Sequence, residues 1–581
     1  MAGTYIPVVL DTDLERTLAR DIQAALAEVT GTEEVADAVR PFVDGQQAGG
    51  TGAIQVLVDP STGEPFCNVA LAGPEDVLQA VEAAGRAYPL WRSTAYEERG
   101  SLLRRLSVLI RHHADRLAEI IAHEQGKPKH EALAMEILPA LDHLKFIIFH
   151  AERFHAGLAV EPRHPYYAHK RAHYLYDAIG VVALVTPRAM PFATPLIQVA
   201  AALAMGNAVV LKPSEHTPLS GIEIGRLCAE AGFPRGIVNV VPAVPEDTLH
   251  LVAHPRIDKV FVTGGLETGQ SVMATAGCSP RPVVLSLGGK HPTIVAGDAD
   301  IERAARGIVW GAFANCGQSC GSVERVYVEE RVATKFIERA LHHVQQLQVG
   351  SAVDDGIDMG PMQSEADRTR VHQQVQDAVN QGAQCMHGGE IPHGPGSFYP
   401  PTILTDVPND CRLMQEETLG PVLPIVVVES LERAILLANE SQYALAASGW
   451  TSSSHQAERM MVGLQAGVVT INDLLYSYGE PSATWSGYRR SGIGQNHGTP
   501  GLREMSRQRF VSFDANSLEA PAYSYPYNDD AEEMVQNSIQ HLHGTGKMAR
   551  FKAWWRLIRN ERFRRRVDLR TLIFSRKRQL R

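Results

Sequence analysis

From residue 179 onward, short β-branched runs alternate with helix-like stretches: GVVALVT, then 194–205, AVVLKP, 217–231, IVNVV, KVFVTG, 267–276 and PVVLSLG. This alternation constrains the chain more than any other feature, because successive strands separated by helices build a doubly wound parallel sheet. The same texture resumes from Thr293 to about residue 488, interrupted around IPHGPGSFYPP, and predicts a second α/β domain. At 581 residues the chain is too long for one core and calls for two or three packed domains plus appendages.

The segments around this centre differ in character. Leu14, Leu18, Ile22, Leu26 and Val29 recur at helical spacing before Gly31 and predict an N-terminal helical extension over residues 1–51. Residues 52–158 open with the strand-like IQVLV and a turn at Asp59-Pro60-Ser61-Thr62-Gly63, then become long helices. No apolar run approaches the ~18 residues of a membrane span. The opening MAGTYIPVVLDTD lacks a basic region ahead of its apolar stretch, so the expected compartment is the cytoplasm. Seven scattered cysteines without metal-type pairing are expected to be reduced.

Charge is concentrated at the end. Residues 541–581 hold 14 Lys+Arg against 2 Asp+Glu, which leaves 41 basic and 63 acidic residues in the rest of the chain. The expected basic amphipathic extension spans 515–581, and within 547–574 Phe551, Trp554, Trp555 and Ile558 fall at one-face helical spacing. Such a helix suits an anionic membrane surface. It also suits folding back on the acidic body or on a neighbouring subunit; nucleic acid is the least favoured partner, as no recognised binding module accompanies it.

Two strand exits carry groups suited to a dinucleotide, which in an open parallel sheet lies beyond the carboxyl ends of the strands. In the first, Lys212-Pro213-Ser214-Glu215, the ammonium can pair with ribose or phosphate. The carboxylate can accept from adenosine ribose hydroxyls and repel a 2′-phosphate, which favours NAD over NADP. In the second, Thr263-Gly264-Gly265 precedes a helix beginning near Leu266 and lets the backbone approach a pyrophosphate. A Gly-Gly pair is equally read as a tight connection.

TPRAMPF, MGNAVVLKPSEHTPL, AGFPRGIVNVV, KVFVTGG, LSLGGKHP, NCGQSC, EETLGPV, AGVVTIND and SGYRRSGIG occur in that order. In this ordered set the chain resembles the NAD(P)-dependent aldehyde dehydrogenase superfamily over about residues 52–514. The resemblance implies an α/β fold with a Rossmann-type cofactor domain (52–158 and 178–287), an α/β catalytic domain (288–488) and an oligomerisation β-arm (159–177 and 489–514) that makes a homodimer or homotetramer. It implies that Cys320 attacks a small-molecule aldehyde to form a thiohemiacetal, which loses hydride to the cofactor and becomes a thioester. It places Glu417 at the nicotinamide ribose, with Leu419, where phenylalanine is usual, and Gly288 against the nicotinamide, and Asn472 near the substrate pocket. Cys316, four residues before Cys320, is a lesser candidate, for a catalytic or regulatory redox role.

The chain departs from the family pattern at four positions. Ser286 stands where the glutamate that activates water is usual, and a hydroxyl does not accept a proton as a carboxylate does. Ala189 stands where an asparagine amide stabilises the oxyanion, a loss typically worth ~2.7–4 kcal/mol. Gln198 and Asn496 replace a lysine and a glutamate that many relatives use as a proton relay. Arg188 or His291 is the candidate substitute for the missing charge. Three functions follow: an NAD(P)-dependent aldehyde dehydrogenase with altered deacylation, a relative that passes the acyl group to coenzyme A, and a non-catalytic binding or assembly protein. Trp485 and Tyr478 read as an apolar entrance to the pocket or as core packing.

Overall fold

The computed structural model describes residues 38–567 apart from 163, 168, 515–517 and 519. The N-terminal helix expected around Leu14–Val29 lies outside the described residues, as does the end of the basic stretch from 568 onward. The chain divides into two compact units, the described parts of Met1–Ala151 with Ala178–Arg507, and of Glu152–Asp177 with Gln508–Arg581.

The first unit is built on two sheets. In the eight-stranded sheet five parallel strands, Val181–Val185, Ala208–Lys212, Val238–Val240, Ile257–Gly264 and Val283–Leu287, stand in the spatial order third, second, first, fourth, fifth. The order reverses between the first and fourth strands, which is where the carboxyl ends open a crevice. Val181–Val185 and Ala208–Lys212 are buried at every residue, as expected for strands covered on both faces. Ala193–Ala204, also buried along its whole length, is one of the covering helices. Among the described residues no helix is long and apolar enough to cross a membrane.

Both edges of this sheet come from unexpected places. Phe42–Val43 and Gln46–Gln47 form an antiparallel hairpin that pairs with Val240, inside the region read as a helical extension. Gly492–Ile493 pairs antiparallel with Ser286 and Leu285. Residues 489–505, read as part of the oligomerisation arm, therefore stand in the first unit, where they supply this edge and the helix Gly498–Glu504.

The seven-stranded sheet holds Gln384–His387, Thr402–Thr405, Val422–Val428, Val323–Glu329, His291–Val295, Ala446–Trp450 and Val468–Ile471 in spatial order, parallel except at its first pair. Its core continues into the helix Ile301–Phe313, whose N-terminus is capped by the Asp300 carboxylate accepting from the Arg303 N–H at 3.1 Å.

The second unit contains a three-stranded sheet of Leu158–Val160, Arg171–Ala178 and Ser506–Phe513. Beside these strands in sequence, the helices Asp529–His543, Lys547–Arg559 and Glu561–Arg566 close over a small core of Tyr166, Ala522, Met534, Leu557, Phe563 and Val567. The basic stretch thus has a folded base. Trp554 turns partly inward beside Phe563, whereas Trp555 faces solvent, so the expected single aromatic face is split.

Candidate active site

The two strand exits read as a dinucleotide shelf lie on the eight-stranded sheet. Lys212 ends its strand nearly buried, and its Nζ donates to Glu215 Oε2 at 2.8 Å. Burial works to raise the Glu215 pKa, but the Lys212 ammonium and its hydrogen bond outweigh it, so the carboxyl is held below its ordinary value and stays ionised. Ser214 is buried beside them. Gly264 ends its strand, Gly265 caps the helix Leu266–Ala276, and a Cβ built on either would meet nothing within 4 Å. The space in front of that helix N-terminus is therefore open, as an approaching anion requires. Thr263 Oγ1 accepts from Gln198 Nε2 at 2.8 Å.

Cys320 sits on the loop that joins Ile301–Phe313 to Val323–Glu329. Asn315, Cys316 and Gly317 all take left-handed backbone angles, and a dense set of hydrogen bonds holds them there. Asn315 N–H donates to Glu131 Oε2 at 2.8 Å, and its side-chain amide donates to the carbonyls of Gln318 at 2.8 Å and Ala189 at 3.3 Å. Gln318 Oε1 accepts from the Gln363 N–H at 2.9 Å. Gly317 cannot be replaced without strain, since a Cβ there would lie 2.2 Å from the Gly420 carbonyl oxygen. Cys320 itself keeps partial exposure. Burial of its thiol, and then the charge of Glu417, push the pKa up to about 12. Cys316 belongs to the hydrophobic core, and burial pushes its thiol up, which disfavours the reactive thiolate.

Glu417 approaches from the second sheet. Its Oε1 accepts from the Gly289 N–H at 3.3 Å, and a Cβ on Gly288 would lie 2.2 Å from the same oxygen, so only glycine leaves the carboxyl this position. Burial first, and the neighbouring Glu324 carboxylate second, raise Glu417 to about 7. Leu419 has a left-handed backbone, φ 49°, and its N–H donates to Glu324 Oε1 at 3.0 Å. Glu324 is in turn paired with the fully buried Lys290 at 2.9 Å, and Lys290 donates to Thr418 Oγ1 at 2.7 Å. The Glu417–Leu419 turn is thereby fixed beside Gly288.

The four positions read as departures from the family pattern each have defined neighbours. Ser286 lies half-buried in the strand Val283–Leu287, between Thr263 on one neighbour and Gly492 on the other. The Ala189 carbonyl accepts both from Asn315 and, at 3.1 Å, from Lys127, which places its backbone against the cysteine loop. Gln198 and Asn496 line one cavity together with His143 and His497. Both residues read as substitutes have other surroundings. Arg188 donates to Asp367 Oδ1 at 2.6 Å. His291 packs against Gly289, and burial pushes its pKa down to about 4, so it is neutral. The Asn472 side chain is spent on both backbone groups of Thr451, at 2.9 and 2.8 Å, and locks a turn.

The sequence reading missed a buried set beneath the site. Lys127 and Glu136, both fully buried, pair at 2.5 Å. Glu136 also accepts from the N–H groups of Phe192 and Ala193 at 3.0 and 2.8 Å, which caps the helix Ala193–Ala204. Tyr478 shares a hydrogen bond of 3.0 Å with Thr194. Its phenol is pushed up by burial and then by Glu136, and its ring stands edge-on to Trp485 with centroids 6.1 Å apart. Trp485 and Leu475 face Gly321, the residue after Cys320. Trp485 and Tyr478 were singled out in the sequence as an apolar entrance or as core packing; the tyrosine's polar end was not, because no local pattern announces it.

The model of one family, described as the aldehyde dehydrogenase family, matches residues 47–511. The chain belongs to the aldehyde dehydrogenase family. Similar relatives in this family include the lactaldehyde dehydrogenase of Escherichia coli, 35% identical over 81% of this chain and 97% of the relative. Another is the peroxisomal aminoaldehyde dehydrogenase 1 of Pisum sativum, 34% identical over 77% of this chain and 89% of the relative. Among solved structures, lactaldehyde dehydrogenase from Escherichia coli superposes with a TM-score of 0.79 at 35% identity, covering 82% of this chain and 99% of its own. The NAD+ complex of aldehyde dehydrogenase from Bacillus cereus does so with a TM-score of 0.80 at 31% identity, covering 85% and 98%. As a member of this aldehyde dehydrogenase family the protein is an NAD(P)-dependent oxidoreductase, and the open shelf at Gly264 and Gly265 fits such a cofactor.

Proposed function

We propose that this aldehyde dehydrogenase forms its thioester on Cys320 and releases the acyl group slowly. The observation that carries this reading is the pairing of a locked, accessible Cys320 loop with a hydroxyl at Ser286 and a methyl at Ala189. After the thiol gives its proton to solvent hydroxide, sulfur forms a bond to the aldehyde carbon, and the π pair moves onto oxygen. The backbone N–H of Cys320 is the donor this chain retains for that oxyanion. Bound NAD(P)+ supplies the hydride acceptor. The oxygen then re-forms its double bond as the C–H pair departs, which leaves a thioester on Cys320. Water attack on that thioester releases acid and returns the sulfur, and Ser286 offers it no carboxylate base.

Several finer assignments go with this proposal. Lys212, Ser214, Glu215, Thr263, Gly264 and Gly265 would hold the adenosine and pyrophosphate, and Gly288, Glu417 and Leu419 the nicotinamide ribose and ring. The ionised Glu215 favours NAD over NADP, since a 2′-phosphate would meet a second negative charge. Seven described cysteines, all unpaired, suit the cytoplasm. The strands Arg171–Ala178 and Ser506–Phe513 would serve homo-oligomerisation.

Rapid mixing of the protein and NAD+ with a panel of aldehydes tests the reading. Lactaldehyde and an aminoaldehyde, named for two relatives, belong on the panel. The expected result is one NADH per Cys320 in a burst, followed by slow turnover. A burst converted to fast turnover by coenzyme A makes that thiol the acceptor instead of water. Absence of any burst, with no alkylation of Cys320, would make the protein a binding or assembly member.

A further inference from the structure

The helix Lys547–Arg559 has two unlike sides. Ala553 and Leu557 are buried against the helix Asp529–His543, and Trp554 packs partly against the same small core. At about 100° per residue, Met548, Phe551 and Trp555 come together on the opposite side, where they are 68%, 59% and 46% exposed. Lys552, Arg556 and Arg559 continue around that side and are all exposed. The Arg559 guanidinium lies 4.8 Å from the centroid of the Trp555 ring, which holds charge and aromatic surface together. Glu561–Arg566 adds exposed Arg564 and Arg565. Residues 547–567 contain nine Lys+Arg and one Glu.

Three contiguous large apolar side chains facing water need a cover. The surrounding charge selects it. A second copy of the same face would set one dense array of cations against another. Bases of a single-stranded nucleic acid stack on aromatic platforms set in a basic groove, whereas this stripe lies on the convex side of a helix and includes a methionine. An anionic bilayer meets both needs, since apolar side chains enter the headgroup boundary while flanking Lys and Arg contact lipid phosphates.

We propose that Met548, Phe551 and Trp555, flanked by Lys552, Arg556 and Arg559, form a peripheral docking surface for anionic lipid bilayers. The base of the helix stays folded on its own core while the outer side engages lipid. Its trial is flotation of the full chain with vesicles of phosphatidylcholine alone and of phosphatidylcholine with phosphatidylglycerol, at low and high salt. The bound fraction should be about fivefold greater on the anionic vesicles and should fall with salt. Phe551→Ser with Trp555→Ser should abolish that excess, and so should Lys552→Glu with Arg556→Glu. Both pairs are exposed, so circular dichroism should be unchanged. Equal flotation of either variant, or equal binding to neutral vesicles, would overturn the proposal. So would retention on an oligonucleotide with no binding to vesicles, or a dimer that the aromatic double variant dissolves while flotation is absent.

Discussion

Cys320 meets neutral solution as a thiol, because burial and then the Glu417 charge raise its pKa to about 12. Its thiolate fraction therefore grows about tenfold per pH unit throughout the range below that value. The NADH burst rate should climb in the same way from pH 7 to 10, without levelling at the ordinary thiol value; stopped-flow traces across that range check this. Two substitutions address the missing groups separately. Ser286→Glu should raise steady-state turnover relative to the burst by about a hundredfold, the usual contribution of a positioned base, as read from product released after the burst. Ala189→Asn should instead raise the burst rate, by about a hundredfold. If Ser286→Glu leaves turnover unchanged, release is limited elsewhere. Cys320, Ser286 and Ala189 stood out in the sequence as candidates because each sits inside a short ordered motif. Lys127, Glu131 and Glu136 did not, since Lys127 is a charge in a short loop and the two glutamates are charges within helices, and no local pattern announces their burial.

The turn Asn315–Gly317 shows how an element can be built against local preference. Consecutive left-handed residues cost about 1–3 kcal/mol each outside glycine, and the Asn315 side chain offsets this with its two carbonyl contacts. Asn315→Ala should therefore lower stability by about 2–4 kcal/mol, measured by denaturant unfolding, and slow the burst as the loop loosens. The five parallel strands were legible from β-branched runs; four lie within their motifs, as Val181–Val185 does in GVVALVT, and Ile257–Gly264 begins two residues before KVFVTG. The edge strands Phe42–Val43, Gln46–Gln47 and Gly492–Ile493 were not, because two residues show no alternation and the pairing is set by the sheet they meet. The tail was read as one aromatic face; two adjacent tryptophans differ by about 100° on a helix, and the core on one side claimed only Trp554.

At the scale of the molecule, the second unit exposes unusual apolar surface on its sheet. Phe510 and Phe513, on the strand Ser506–Phe513, are 55% and 64% exposed. Burial of such residues between subunits is the ordinary remedy. Sedimentation velocity should find a dimer or tetramer, and Phe510→Asp with Phe513→Asp should shift it to monomer. The chain path through the first unit has a further effect. Gly492–Ile493, which follows the entire seven-stranded sheet in sequence, lies beside Ser286 and completes the sheet begun far earlier. The polypeptide is thus stitched back onto the sheet it left about two hundred residues earlier. A protein cut after residue 287 would leave the first fragment with a raw β-edge at Val283–Leu287, so neither lobe is a module that evolution or a cloning scheme can lift out alone.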